Sequence, residues 1–350
     1  MESETKKKLW IFIACAYGLV ILMSIFMVVG LRMEYDLSSF INTQMMYPAC
    51  GVILGKILTR KKDEKLPMGA YITILVTTAV MMVISILSVF IPLDDISVSG
   101  QTMSTWTMII SFPVLIGSIF AYIFFWTCGK EIRKKHGLAH NNMKMSIILV
   151  VVFCVLYLGR RFIDIVLASP NAGANAWTRD LLGNLATFNG ILTFLSLPIN
   201  YFMTFLPFFG EEYGWRYYLQ PIMQKKFGLR GGILLLGLVW GLWHWDADFM
   251  FYTKDSGLVM LTSQIITCTV IAIFFGYTMM KTNNIWAVVV MHFINNNMAA
   301  VFEGAESLSN QSAKWSDIPP FFVASLLFAL FILMPLFNKK KEEIPLLSEA

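Results

Sequence analysis

Residues 205–219 read Phe205-Leu206-Pro207-Phe208-Phe209-Gly210-Glu211-Glu212-Tyr213-Gly214-Trp215-Arg216-Tyr217-Tyr218-Leu219. Two adjacent carboxylates and a guanidinium stand in an otherwise apolar and aromatic run. Similar apolar runs recur along the whole chain, each near the ~20 residues that cross a bilayer core. Hydrophobic residues make up 57% of the sequence and charged residues 14%, which removes it from the soluble class. The fold expected is all-α, a polytopic transmembrane helical bundle of about ten spans. The spans are expected at 10–31, 37–58, 68–92, 104–127, 145–167, 186–210, 231–247, 257–280, 284–302 and 319–337. The second carries Asn42, Thr43, Gln44, Pro48 and Lys56 and also reads as an interfacial or cavity-lining helix. The sixth is expected to run on through Glu211 to about Phe227. Ionisable groups at membrane depth are expensive, so the default reading of Glu211 and Glu212 is functional.

Charge placement gives a topology. One alternating set of segments (Lys6–Lys8, Arg60 to Lys65, Lys130 to Lys144, Lys225 to Arg230, Lys281 and Lys339–Lys341) holds 19 of the 27 Lys and Arg. The opposite set holds four: Arg32, Arg179, Lys254 and Lys314. The positive-inside rule then puts both termini in the cytoplasm. The net charge of +5 belongs to this asymmetry and implies no nucleic-acid partner. The first span reads as an uncleaved anchor, since it is long and lacks a small-residue cleavage pattern. Cys15, Cys50, Cys128, Cys154 and Cys268 read as small buried hydrophobes, with no disulfide or metal role. His136 and His140, in a basic loop, read as solvated. Arg160 and Asp164 are expected to pair four residues apart, and Asp246 and Asp248 to be loop residues at the external surface. The tail after Lys341 is expected to be disordered. Three regions follow: an N-terminal four-span accessory region (1–140) with almost no buried ionisable group, a core holding the candidate chemistry (141–303), and a last region of external loop, span and tail (304–350).

Two further motifs share the level of the glutamates. His244 closes Trp240-Gly-Leu-Trp-His244, and His292 opens His292-Phe-Ile-Asn-Asn296. Counting from Gly228 in the basic turn Lys225–Arg230, Glu211 is 17 residues back and His244 is 16 residues on. At about 1.5 Å per residue, both lie roughly 25 Å along their helices, so an antiparallel pair sets carboxylate beside imidazole. From Lys281, His292 and Asn296 lie about 16 and 22 Å along and share a face. Blander readings exist for each. Glu212 and Arg216 are four apart and form a buried ion pair; Glu211 is turned about 100° from Glu212 and faces elsewhere. His244 alone reads equally as a structural histidine, and His292 with Asn296 as an interhelical hydrogen-bond pair. Gly210, Gly214, Gly237 and Gly241 suit close helix approach.

These three strings resemble the signature of the CPBP family, the CAAX prenyl endopeptidases and the bacteriocin-processing or self-immunity proteins also called Abi. The pattern is Glu-Glu-x-x-x-Arg, aromatic-x-x-x-His and His-x-x-x-Asn. It is matched by Glu211, Glu212 and Arg216, by Trp240 and His244, and by His292 and Asn296. Trp240 stands where Phe is usual. The resemblance covers about residues 190–303. It implies an intramembrane endopeptidase in which Glu211 and His244 activate water while His292 and Asn296 hold the tetrahedral oxyanion, with Glu212, Arg216 and Trp240 in support.

The family has been described both as metalloproteases and as metal-free glutamate proteases. One Glu and two His match a known catalytic zinc set. Asn is a poor zinc ligand and a good oxyanion donor, so no cofactor is expected, with zinc as the alternative. The expected substrate is a hydrophobic or membrane-bound peptide and the expected place a cell membrane, the bacterial cytoplasmic membrane by resemblance. The alternative function is a non-proteolytic bacteriocin-immunity or peptide-binding membrane protein using the same pocket. A proton-relaying transporter is a third reading, without the matching broken helices that transporters show.

Overall fold

The computed structural model describes residues 3–98, 101–304, 309 and 311–339. The tail beyond Lys341 and most of 305–310 fall outside the described residues. The chain is a helical bundle that divides into two compact units.

Unit 1 comprises Met1–Ala139 and Phe202–Tyr218. It holds α1 (Ser3–Ile13), α2 (Leu19–Arg32), α3 (Ser38–Gln44), α4 (Tyr47–Leu58), α5 (Met68–Ser88), α6 (Thr105–Thr127) and α7 (Lys130–Lys135). Between α5 and α6 a short antiparallel hairpin pairs Ile96–Val98 with Gln101–Met103 within an otherwise helical fold, as expected of the all-α class. Unit 2 comprises His140–Tyr201 and Leu219–Ala350. It holds α8 (Met143–Ala168), α9 (Ala174–Leu182) and most of α10 (Phe188–Thr204). The chain then returns to unit 1 for α11 (Leu206–Glu212) and a π segment (Tyr213–Leu219). It ends in unit 2 with α12 (Gln220–Phe227), α13 (Leu229–Trp243), α14 (Trp245–Met250), α15 (Gly257–Thr282), α16 (Ile285–Glu303) and α17 (Ile318–Ala329).

Seven helices among the described residues are long and apolar enough to cross a membrane, eight if a bent pair is one span. That pair, Ala174–Ala186 with Phe188–Thr204, bends by 64°. Two expected spans differ. The run 37–58 splits into α3 and α4 across a turn at Met45–Met46, just ahead of Pro48. The run 231–247 yields α13, whose 15 residues reach about 22 Å. Nor is the sixth run unbroken: it stops at Thr204 and restarts at Leu206, with Pro207 in the first turn of α11, the position where a missing N–H costs least.

Burial is inverted, as lipid solvation requires. On α5, Ile72, Val76, Val80, Val83 and Leu87 are exposed, while Thr77, Thr78, Ser85 and Ser88 are buried. The buried hydroxyls join helices: Thr43 Oγ1 to Ser85 Oγ at 2.9 Å, Ser39 Oγ to Ser88 Oγ at 3.2 Å, and Cys50 Sγ to Thr78 Oγ1 at 3.2 Å. Small and polar residues pack inward because lipid tails solvate Val and Ile as well as a core does. All five cysteines are free thiols, Cys50 and Cys268 buried.

The expected Arg160–Asp164 ion pair does not form. Arg161 instead bridges Glu303 of α16 and donates to the Asp180 carbonyl at 3.0 Å. Arg160 lies over the rings of Tyr157 and Phe321, at 5.7 and 5.5 Å. Aromatic faces stabilise a guanidinium without a second charge.

Candidate functional site

The glutamates of unit 1 sit where an α-helix widens into a π segment. Glu211, Glu212 and Arg216 are all buried. Glu212 Oε2 lies 3.1 Å from Arg216 Nε, one turn on, as the i, i+4 spacing predicts. Three faces of the same helix have separate duties. Phe209, Tyr213 and Tyr217 form a stacked row with centroids 5.0 and 4.6 Å apart. Trp215 meets Phe12 and Tyr17 edge-on at 5.7 and 6.3 Å. Gly210 faces the turn at Met45–Met46 and Gly214 the start of α4: a Cβ on Gly210 would lie 2.5 Å from the Met45 carbonyl oxygen, and one on Gly214 2.2 Å from Pro48. Glycine is what lets these backbones touch. Short π segments are frequent at functional sites.

Unit 2 brings Trp240, His244 and His292 together. The Trp240 ring lies 6.1 Å from the His244 ring and 5.6 Å from the His292 ring, edge-on to the second. Gly237 and Gly241 let α13 approach α15, where added Cβ atoms would stand 2.4 and 2.6 Å from the Thr269 and Ile265 Cα atoms. His244 ends α13 and precedes α14. Its Nδ1 lies 2.9 Å from the Trp240 carbonyl oxygen. A carbonyl only accepts, so Nδ1 carries the hydrogen and Nε2 keeps its lone pair. His292 is buried, with Phe275 6.2 Å from its ring. Asn296, one turn later, is exposed and accepts a hydrogen bond from Asn295 Nδ2 at 3.1 Å through Oδ1. That bond occupies the acceptor end of the Asn296 amide and leaves its NH2 as the donor.

Four readings of charged residues change. His136 is wholly buried, not solvated, and Lys56 is 8% exposed, so residues 1–140 do hold buried ionisable groups. His140 is exposed, as expected, and stacks on Trp286 at 5.4 Å. Asp246 and Asp248 are buried within α14, not loop residues. Asp246 Oδ1 accepts from the Ala247 N–H at 2.9 Å, whereas neither Asp248 oxygen has a hydrogen-bond partner among the described residues. Trp245–Met250 contains no Gly or Pro to break a helix, and that was the available sign of one, although its two Asp also suit a turn. Among the described residues no three His, Cys, Asp or Glu side chains are gathered to hold a metal ion.

No curated protein and no solved structure matches the chain. Residues 193–298, which carry Glu211, Glu212, Arg216, Trp240, His244, His292 and Asn296, match the family model described as type II CAAX prenyl endopeptidase Rce1-like, a protease family.

Proposed function

We propose that this multi-pass membrane protein is an endopeptidase that hydrolyses a peptide bond in a hydrophobic or membrane-associated peptide. The family match supports CAAX-type intramembrane protease activity in general. The observation that most favours the particular chemistry is the His244 tautomer set by the Trp240 carbonyl. A neutral imidazole with a free Nε2 accepts a hydrogen bond from water and orients it. Glu211 takes the proton of that water as its oxygen attacks the carbonyl carbon. His292 and the Asn296 NH2 donate to the oxyanion of the tetrahedral intermediate. The intermediate collapses, the C–N bond breaks, and the proton held by Glu211 passes to the leaving amine. Glu212 and Arg216 neutralise each other beside the base, and Trp240 seats both histidines.

The reaction is proposed to run without a metal, because an Asn amide serves an oxyanion better than a cation. The membrane is proposed to be a bacterial cytoplasmic membrane, from the family resemblance, with both chain termini in the cytoplasm, from the basic-residue asymmetry. The experiment compares membrane and secreted peptides from cells carrying wild-type protein or Glu211→Gln. Purified protein in nanodiscs is assayed alongside, on quenched hydrophobic peptides with and without a prenylated Cys-aliphatic-aliphatic-X end. Peptides that accumulate uncleaved only in the variant support the reading. Equal cleavage by both proteins overturns it.

A further inference from the structure

Outside the matched segment, unit 1 buries an ammonium with no carboxylate in ion-pair range among the described residues, Glu64 acting on it only from farther off. Lys56 of α4 has no Asp or Glu within 4.0 Å among the described residues. Its Nζ donates to Tyr217 Oη at 2.9 Å, lies 3.5 Å from His136 Nδ1, and stands 5.0 Å from the Tyr217 ring centroid. His136 Nε2 lies 2.9 Å from the Lys65 carbonyl oxygen. That oxygen only accepts, so Nε2 carries the hydrogen and the Nδ1 lone pair faces the ammonium. Burial, with the Lys56 charge beside it, pushes the imidazole down to about 4, which keeps this arrangement neutral on the histidine side.

The same turn grips the first tyrosine of the π segment, Tyr213. Tyr213 Oη donates to the His136 carbonyl oxygen at 3.2 Å and stands 2.7 Å from Tyr71 Oη, which therefore donates to it. Gly137, at φ 71°, lies so close that a Cβ would be 2.3 Å from the Tyr217 ring. Both hydroxyls of the stacked row are thus held from α4, α5 and the 136–137 turn. The segment they belong to begins directly after Glu212. A π segment carries an extra residue in its turn, and reverting to α geometry rotates whatever follows relative to whatever precedes by about 100°. Burying an unneutralised ammonium costs several kcal/mol, of order that of losing a buried ion-pair partner, so fold stability alone does not select a lysine here.

We propose that Lys56 and His136 are positioning residues that hold the π segment in register and so fix the direction of Glu211. This rests on the reading of Glu211 as the base. They act through Tyr217 and Tyr213 and touch no substrate.

The test is kinetic, with full-length protein in nanodiscs and the quenched prenylated peptide as probe. Lys56→Met and Tyr217→Phe are expected to lower kcat about tenfold or more with KM unchanged, since a base displaced by about 1 Å loses that much. The double variant is expected to be no slower than the worse single, because both remove one contact. Lys56→Arg, which keeps charge and donor, is expected to recover part of kcat. Where Lys56→Met does not fold, Tyr217→Phe, which removes one oxygen, carries the test. A lowered Tm with wild-type kcat and KM below the transition makes the contact structural and overturns the inference. Glu211→Gln is run beside them. If it cleaves normally, the reading of the base fails and this inference with it. If it is inactive while Lys56→Met and Tyr217→Phe keep wild-type kcat, the inference alone fails.

Discussion

The His244 ring nitrogen Nδ1 and the Trp240 carbonyl oxygen, one helical turn apart, are 2.9 Å from each other. The bond settles which imidazole nitrogen is basic without any help from substrate. His244→Asn keeps an N–H at the Nδ1 position but supplies no basic nitrogen at Nε2. It should fold like the wild type and lose turnover by the roughly 10²–10⁴-fold attributed to acid–base groups. Cleavage rates with Tm measured in parallel decide this. A His244→Asn variant of normal activity would mean that the histidine is structural.

The two glutamates should separate by phenotype. Glu212→Gln leaves the Arg216 guanidinium buried without its charge partner and should cost about 3–5 kcal/mol of stability. Adding Arg216→Met should restore much of it, since removing both charges is cheaper than stranding one. Glu211→Gln should stay folded and inserted yet lose activity on the order of 10²–10⁴-fold. Thermal unfolding and cleavage for the three variants test the assignment; a stable, dead Glu212→Gln beside an active Glu211→Gln would reverse it.

Acid should weaken unit 1 through His136. The groups that face this ring are Lys56 from α4, Lys65 with Glu64 from the loop before α5, Lys135 from the end of α7, and Tyr71, Tyr213 and Tyr217. The folded-state pKa is depressed to about 4 from an unfolded value near 6.5. The unfolded chain therefore binds the proton first as pH falls. The contribution of His136 is constant above about pH 6.5 and is lost progressively down to about pH 4. The Tm difference between wild type and His136→Gln, followed from pH 7 to pH 4, should shrink or reverse in that window. A difference that stays flat across it would show that His136 does not titrate as described.

Trp240 should tolerate Phe and not Ala. A phenyl ring keeps an aromatic edge between His244 and His292, which the large ring now contacts at 6.1 and 5.6 Å. Trp240→Ala opens a cavity at a buried site and should cost about 3–5 kcal/mol. Activity should follow, because both imidazoles lose their common support. Equal turnover for Ala and wild type at a temperature where both are folded would remove Trp240 from the site.

Metal removal should leave activity in place. The protein, dialysed against chelator and freed of it, is expected to cleave the quenched peptide at its starting rate. Loss of activity that zinc restores would replace the proposed oxyanion arrangement with a His-His-Glu metal set.

The long helices were legible because lipid demands continuous apolar runs, and α5, α6, α8, α15 and α16 lie close to where hydropathy places them. The Glu212–Arg216 pair and the glycine approaches were legible because both depend on spacing within one helix. What escaped depends on partners distant in sequence. His136 stands in a run of basic residues, which reads as solvated, and the groups that pack on it, Lys56 and Tyr213 among them, lie as far as 80 and 77 residues away. Arg161 and Arg160 are adjacent and look alike, and which one pairs is settled by Glu303, 142 residues on. The π segment Tyr213–Leu219 leaves no hydrophobic period of its own, because seven residues are too few to establish one.

The tight meeting of Gly210 and Gly214 with Met45 and Pro48 sets a limit on inheritance. The stretch that bears the family signature cannot be transplanted by itself. Recombination that moves 193–298 between two such proteins carries one side of a lock and leaves the other in the recipient's α4. A methyl group gained at residue 214 has to be answered by a shift at residue 48, so the two positions should drift as a pair. Chimeras that exchange α4 together with the glutamate-bearing stretch should fold and insert, while chimeras that split them should not.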